Sequence, residues 1–148
     1  MVFVIDEGSE FDVPLDKIWK LNEAHGTDNQ KIHPNTRNIK VEPISSSSNN
    51  MEGTIASWDD VSQGQPMRIK VKFTNAFPVG FLAEMLEGPM AGSKFFNYYI
   101  PKGNKTGVTL VGDFKSSVIP ENQIRDVVLA YFDQAFREDS EYLKSMKW

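Results

Sequence analysis

Residues that carry chemistry are few in this chain, and their spacing limits what they can do. Two histidines, His25 and His33, stand eight apart in a polar stretch that also holds Glu23 and Asp28. A metal ion needs a third converging ligand and partners that orient the rings. No spacing in the sequence supplies them, so both histidines are expected to be exposed loop residues, and no metal or cofactor is expected. Glu84, in FLAEMLEG, has apolar neighbours on either parity. Burial would raise its pKa and suit it to general acid or base work. Phe81, Ala83 and Met85 make the better inner face, however, which turns Glu84 outward towards Lys70 or Lys72. Asp113, beside Phe114, has the same ambiguity and the same expected resolution. Asp59-Asp60 lacks the other ligands of a cation loop. Ser45 to Ser48 has no His/Asp partner pattern for a nucleophile. The glycines of GPMAG and KGNKTG precede no helix whose N-terminus would receive a phosphate, so they are read as turns. Asn97, Tyr99 and Tyr131 remain as polar atoms among apolar residues, suited to orienting one polar group of a greasy guest.

Composition narrows the classes further. The chain has 148 residues, 16 Lys and Arg against 20 Asp and Glu, and no cysteine. One domain spanning 1–148 with one core is expected at this length. The mild acidity and the lack of a basic stripe argue against nucleic acid. No segment has the apolar length to insert into a membrane, and MVFVIDEGSEF carries acids where a signal peptide is basic. Absent cysteines fit a reducing compartment, so a soluble cytoplasmic protein is expected.

The elements that must position these residues follow from periodicity. Val2 to Phe11 is strand-like, and Leu15, Ile18 and Trp19 then fall on one helical stripe with Pro14 in the first turn. Asn22 to His33 holds a short second helix or an irregular link, ended by Pro34. Strand-length segments follow over 37–44, 51–61, 66–76 and 81–87, then two more inside FFNYYIPKGNKTGVTLVGDF. In MRIKVKFT the alternation places Met67, Ile69, Val71 and Phe73 on one face and Arg68, Lys70, Lys72 and Thr74 on the other. Beyond Pro120 there is no Gly or Pro, and an apolar stripe runs from Ile124 through Val127, Val128, Tyr131, Phe132, Ala135 and Phe136 to Tyr142, Leu143 and Met146. Seven strands, two short helical pieces and one long terminal helix make an α+β arrangement. One helix cannot cover seven flat strands, so the antiparallel sheet must curl around it, and the space between them is a natural pocket.

VPLDKIW (13–19) after a first strand, the hairpin series, LEGPMAGSKFFNYYIPKGNKTGVTLVGDF (86–114) and the amphipathic C-terminal helix together resemble the START-related, birch-allergen-like SRPBCC superfamily. The glycine-rich segment is similar to that of small archaeal members. The resemblance covers nearly the whole chain. It implies a helix-grip fold, in which a seven-stranded curved sheet clasps the last helix over a deep apolar cavity. It also implies binding of lipids, sterols, hormones or polyketides, or cyclisation or dehydration in some members. SSSSNN (45–50) replaces the glycine-rich loop of the plant allergens, so their hormone ligands are not carried over.

A two-residue turn centred on Gly103-Asn104 pairs Tyr99 with Val108, Asn97 with Leu110 and Phe95 with Gly112, and paired residues share a face. The inner set is then Phe95, Asn97, Tyr99, Val108, Leu110 and Phe114. The implied ligand walls add Met67, Ile69, Val71, Phe73, Phe81 and Met85 from the sheet, and Val128, Tyr131, Phe132 and Ala135 from the helix. Phe96, Tyr98 and Ile100 lie on the convex side, where they offer a surface to a second copy of the chain. Three functions stay open. They are a carrier for a small apolar molecule, an enzyme of cyclase or dehydratase type using Tyr99, Asn97 or an inward Glu84, and a non-catalytic interaction module. The carrier, with no cofactor and a lipid, fatty acid or polyketide-like ligand, is the reading the sequence favours.

Overall fold

The computed structural model describes residues 1–44 and 53–146. The expectations for SSSSNN and for the start of the third strand lie outside the described residues. Strand β1 (Val2–Phe11) leads into helices α1 (Leu15–Ala24) and α2 (Asn29–Ile32). Strands β2 (Thr36–Ile44), β3 (Gly53–Asp60), β4 (Met67–Ala76), β5 (Gly80–Glu87), β6 (Lys94–Lys102) and β7 (Lys105–Phe114) follow, and α3 (Glu121–Ser145) ends the chain. All neighbouring strands are antiparallel, in the order β1-β7-β6-β5-β4-β3-β2. The fold is the expected α+β helix-grip, with a seven-stranded sheet and one long C-terminal helix.

The sheet curls because its regular register is interrupted. The pairing slips between Asp6 and Ser9 of β1, between Arg37 and Lys40 of β2, and between Lys70 and Val71 of β4. Each slip adds a residue on one strand and increases the local bend. Gly112 marks a second device: a Cβ there would lie 2.6 Å from Phe95 Cβ and 2.3 Å from the Lys94 carbonyl oxygen, so only glycine admits this approach of β6 to β7.

Helix α1 buries Ile18 and Leu21, three residues apart on one face, and Pro14 stands just ahead of its first turn. The hairpin from β6 to β7 has the expected register, with Tyr99 opposite Val108, Asn97 opposite Leu110 and Phe95 opposite Gly112. Helix α3 is about 37 Å long at 1.5 Å per residue. Its residues Ile124, Val128 and Phe132 meet Val4 of β1 and Phe114 of β7, with Phe95 and Leu110 alongside. Phe132 stands edge-on to both Phe95 and Phe114, at ring centroid separations of 5.0 and 5.9 Å. Towards its C-terminus α3 joins a second cluster, in which Leu143 and Phe136 pack with Phe11, Ile18, Leu21, Ile32 and Tyr99.

A third apolar cluster lies on the concave face of the other strands. Ile69, Val71 and Ala83 are buried there, with Trp58, Phe73, Phe81, Met85 and Phe95 around them, and no residue of α3 belongs to it. Conversely, Val127 and Tyr131 stand on the apolar stripe of α3 and are 41% and 53% exposed. The helix is therefore fastened along β1, while this exposed flank has no counterpart in the apolar cluster on β3, β4 and β5.

Candidate functional site

The concave face of the sheet carries the expected row of side chains. Pairing continues across it from Val71 to Met85, from Phe73 to Ala83 and on to Phe95, and from Phe81 to Asn97 and on to Leu110. Val71 and Ile69 are buried, whereas Met67, Phe73, Phe81, Met85, Phe95 and Leu110 are only partly covered. On α3, Val128 and Phe132 are used up in packing on β1, and Ala135 is partly covered. The resemblance implies a deep enclosed cavity between this face and α3, whereas two hollows among the described residues lie elsewhere. One, of about 460 Å³, lies between α2 and the outer side of α3, lined by Lys31, Pro34, Arg137 and Glu138 among others. The other, of about 170 Å³, lies on the convex face beside Arg68 and Lys70.

Polar groups stand on the concave face at a few points. Tyr99 and Asn97 are 4% and 7% exposed. Tyr99 Oη accepts a hydrogen bond from Asn22 Nδ2 at 2.9 Å, which ties α1 to β6. Burial pushes the Tyr99 phenol far above its ordinary pKa, and the Asn22 hydrogen bond only partly offsets this. Its hydroxyl is thus already engaged, which leaves it poorly placed to move a proton. Tyr131 differs. Its side chain is 53% exposed, yet the surrounding protein pushes its phenol up to about 12, with Asp60 of β3 and Asp139 of α3 adding to the effect. Its hydroxyl makes no hydrogen bond to any described residue, so it is a neutral donor at physiological pH without a partner among them. Asp6, on the concave face opposite Leu110, has its carboxyl raised by burial and by Asp133.

Glu84 pairs with Lys72 across β4 and β5 and with Lys94 across β5 and β6, and so stands on the convex face. The inward Glu84 weighed as a catalytic acid is excluded by this register. Lys70 forms its ion pair with Glu87 at 3.8 Å. Phe96, Tyr98 and Ile100 share the convex side, where Tyr98 is 43% exposed and the other two are half-covered.

The histidines require a correction. They are not exposed loop residues without a third partner. His25 caps the C-terminus of α1 and His33 that of α2, and their Nε2 atoms lie 3.0 Å apart. Asp139 of α3 completes the group, with Oδ1 at 3.2 Å from His25 Nε2 and 3.3 Å from His33 Nε2. His33 Nδ1 donates to Glu138 Oε1 at 2.9 Å, and His25 Nδ1 donates to the Leu21 carbonyl at 2.8 Å. Tyr142 Oη donates to Asp28 Oδ2 at 2.8 Å and pins the α1–α2 segment to α3 beside them. Burial alone would lower the pKa of His33, but the carboxylates of Asp139 and Glu138 together hold it above its ordinary value. Burial likewise works against ionisation of Asp139, and the two imidazoles outweigh it and keep its carboxyl below the usual range. The third partner was invisible because it lies 114 residues from His25. One signal was available: Asp139 sits four residues after Ala135 and four before Leu143, on the apolar stripe itself.

Solved structures share this architecture. A START superfamily protein from Mycobacterium smegmatis superposes with a TM-score of 0.77 at 10% identity, covering 98% of this chain and 99% of that one. Ara h 8.0201 gives a TM-score of 0.74 at 14% identity, with coverage of 98% and 99%. The Zhui aromatase/cyclase from Streptomyces sp. R1128 gives 0.67 at 13% identity, with coverage of 96% and 92%. The chain thus has the helix-grip fold of these structures. No protein-family model matches the sequence, and no curated protein matches it. Among the described residues no helix is long and apolar enough to cross a membrane.

Proposed function

We propose that the chain binds a small, mostly apolar molecule in the cleft between α3 and strands β3 to β5. The observation that carries this reading is a mismatch of apolar surfaces. The cluster around Ile69, Val71 and Ala83 receives no side chain from α3, while Val127 and Tyr131 extend the helix's apolar stripe beyond the part that packs. Water between two such surfaces is displaced favourably by a hydrocarbon, at roughly 25 cal/mol per Å² of apolar area covered. Tyr131, whose neutral hydroxyl makes no hydrogen bond to any described residue, supplies a polar contact that orients such a guest. The ligand walls are Phe73, Phe81, Met85, Phe95 and Leu110 from the sheet and Tyr131 and Ala135 from the helix. A lipid, fatty acid or polyketide-like molecule fits this chemistry, and the fold likeness to an aromatase/cyclase is compatible with the last of these.

A second reading, turnover of a polyketide-like guest, is favoured by the same Tyr131, since a phenol held neutral can polarise a carbonyl. The convex row of Phe96, Tyr98 and Ile100 offers a homodimer contact independent of the cleft.

Native mass spectrometry of freshly purified protein tests the first reading, followed by a thermal-shift series with fatty acids, sterols and aromatic polyketides. A retained apolar mass, or a melting temperature that rises with one ligand class and fails to rise in Phe81→Asp, is expected, because a ligand that binds only the folded chain stabilises it. A clean apo mass with no shift from any class would sink the proposal.

A further inference from the structure

Three helices bring three acceptor atoms to one point, and nothing among them supplies a proton by default. A backbone carbonyl only accepts, so His25 Nδ1 must carry the hydrogen it gives to Leu21. An ionised carboxylate also only accepts, so His33 Nδ1 carries the hydrogen it gives to Glu138. Both rings, when neutral, therefore present bare Nε2 lone pairs to each other at 3.0 Å and to Asp139 Oδ1 at 3.2 and 3.3 Å. Three lone pairs at such separations repel unless a positive charge sits between them.

The triangle has the dimensions of a metal site. Zinc bonds of about 2.0–2.1 Å at tetrahedral angles put neighbouring ligand atoms about 3.3–3.4 Å apart, so the three observed edges are within a few tenths of an ångström of one face of that tetrahedron. The partners behind the ligands are those that metal-bound histidines use, a carbonyl on one ring and a carboxylate on the other. Charge agrees as well. Asp139 and Glu138 contribute two negative charges, which a single shared proton leaves half balanced and a dication balances in full. The side chains of His33 and Asp139 are 19% exposed, so little solvent screens that imbalance.

We propose that His25 Nε2, His33 Nε2 and Asp139 form the protein ligands of a binding site for a divalent first-row transition-metal ion such as zinc. Glu138 and the Leu21 carbonyl orient the rings, and at least one coordination position is left for water or for the polar end of a bound molecule. Asp139 lies on α3 one turn after Ala135, which places the ion where α1, α2 and α3 meet. The site stands on its own geometry and does not depend on the ligand proposed above.

The test uses the full chain, stripped with a chelator and titrated with zinc and with cobalt(II). One zinc per chain is expected by calorimetry, together with a melting temperature that rises with free zinc and intense cobalt d–d bands of low coordination number. His33→Gln and Asp139→Asn are each expected to weaken zinc binding at least tenfold, and Glu138→Gln by about 10-fold to 100-fold as an orienting partner. Should a variant fail to fold, nitrogen-15 spectra of the wild-type imidazoles decide, since zinc must shift the Nε2 resonances of both His25 and His33. Absence of binding, undiminished binding by folded His33→Gln and Asp139→Asn, or zinc that leaves both rings unperturbed would overturn the proposal.

Discussion

The two halves of the sheet use similar residues for different ends. On β1, β7 and β6, aromatic and branched side chains interlock with α3: Val4, Phe114, Ile124, Val128 and Phe132 are all nearly sealed from solvent. On β3, β4 and β5 a comparable set, Trp58, Phe73, Phe81 and Met85, gathers around Ile69 and Val71 without meeting the helix. The residue types do not distinguish the halves. What distinguishes them is that a single helix about 10 Å wide lies closer to one margin of a seven-stranded sheet. The first half holds the fold together, and the second is where the proposed guest would sit.

Substitutions that remove equal volume from each half give the sharpest contrast. Phe132→Ala deletes a ring in contact with both Phe95 and Phe114 and is expected to cost about 3–5 kcal/mol in urea denaturation. Phe73→Ala, at a partly covered position, is expected to cost less than half as much while reducing uptake of an apolar ligand. Equal losses from the two would erase the distinction between the halves.

Tyr99→Phe probes the boundary between them. It leaves Asn22 without its 2.9 Å partner and is expected to lower stability by about 1–3 kcal/mol, read from the same denaturation curves. No loss would mean that the Asn22 bond does not fasten α1 to β6.

Asp6→Asn should produce the smallest effect and carries a sign. Its carboxyl is raised in the folded protein, by burial first and Asp133 second. A raised carboxyl pKa means that the folded state holds the proton more tightly than the unfolded one. Stability therefore falls as pH rises from the ordinary carboxyl pKa through the raised value, and the deficit persists at neutral pH. Asp6→Asn is expected to stabilise at pH 7 by no more than about 0.5 kcal/mol, the usual range near a surface. The gain should vanish in acid, and a gain that grew as pH fell would contradict the assignment.

Much of this architecture could be read from periodicity. The two-residue period of MRIKVKFT, the turn at Gly103-Asn104 and the stripe of α3 are local patterns, and they correctly placed the strands, the hairpin register and the long helix. The off-centre seat of α3 was less legible, because the stripe includes Val127 and Tyr131 on the same terms as Val128 and Phe132. Pattern alone does not tell which flank of a helix finds a partner. The histidine cluster was hidden for a different reason. Its parts are contributed by α1, α2 and α3, and only the closing of the chain on itself makes them neighbours. An acid on an apolar stripe, as Asp139 is, was the one local departure from consistency, and such departures tend to mark sites rather than scaffold.

Since α3 is secured along β1 and at its C-terminal end but not across the middle of the sheet, its free flank behaves like a book cover bound at the spine. If the proposed binding holds, guests of different girth would need only a small swing about that margin, with the sealed side undisturbed. Amide exchange protection would accordingly change with occupancy in β3 to β5 and hold constant in β1 and β7.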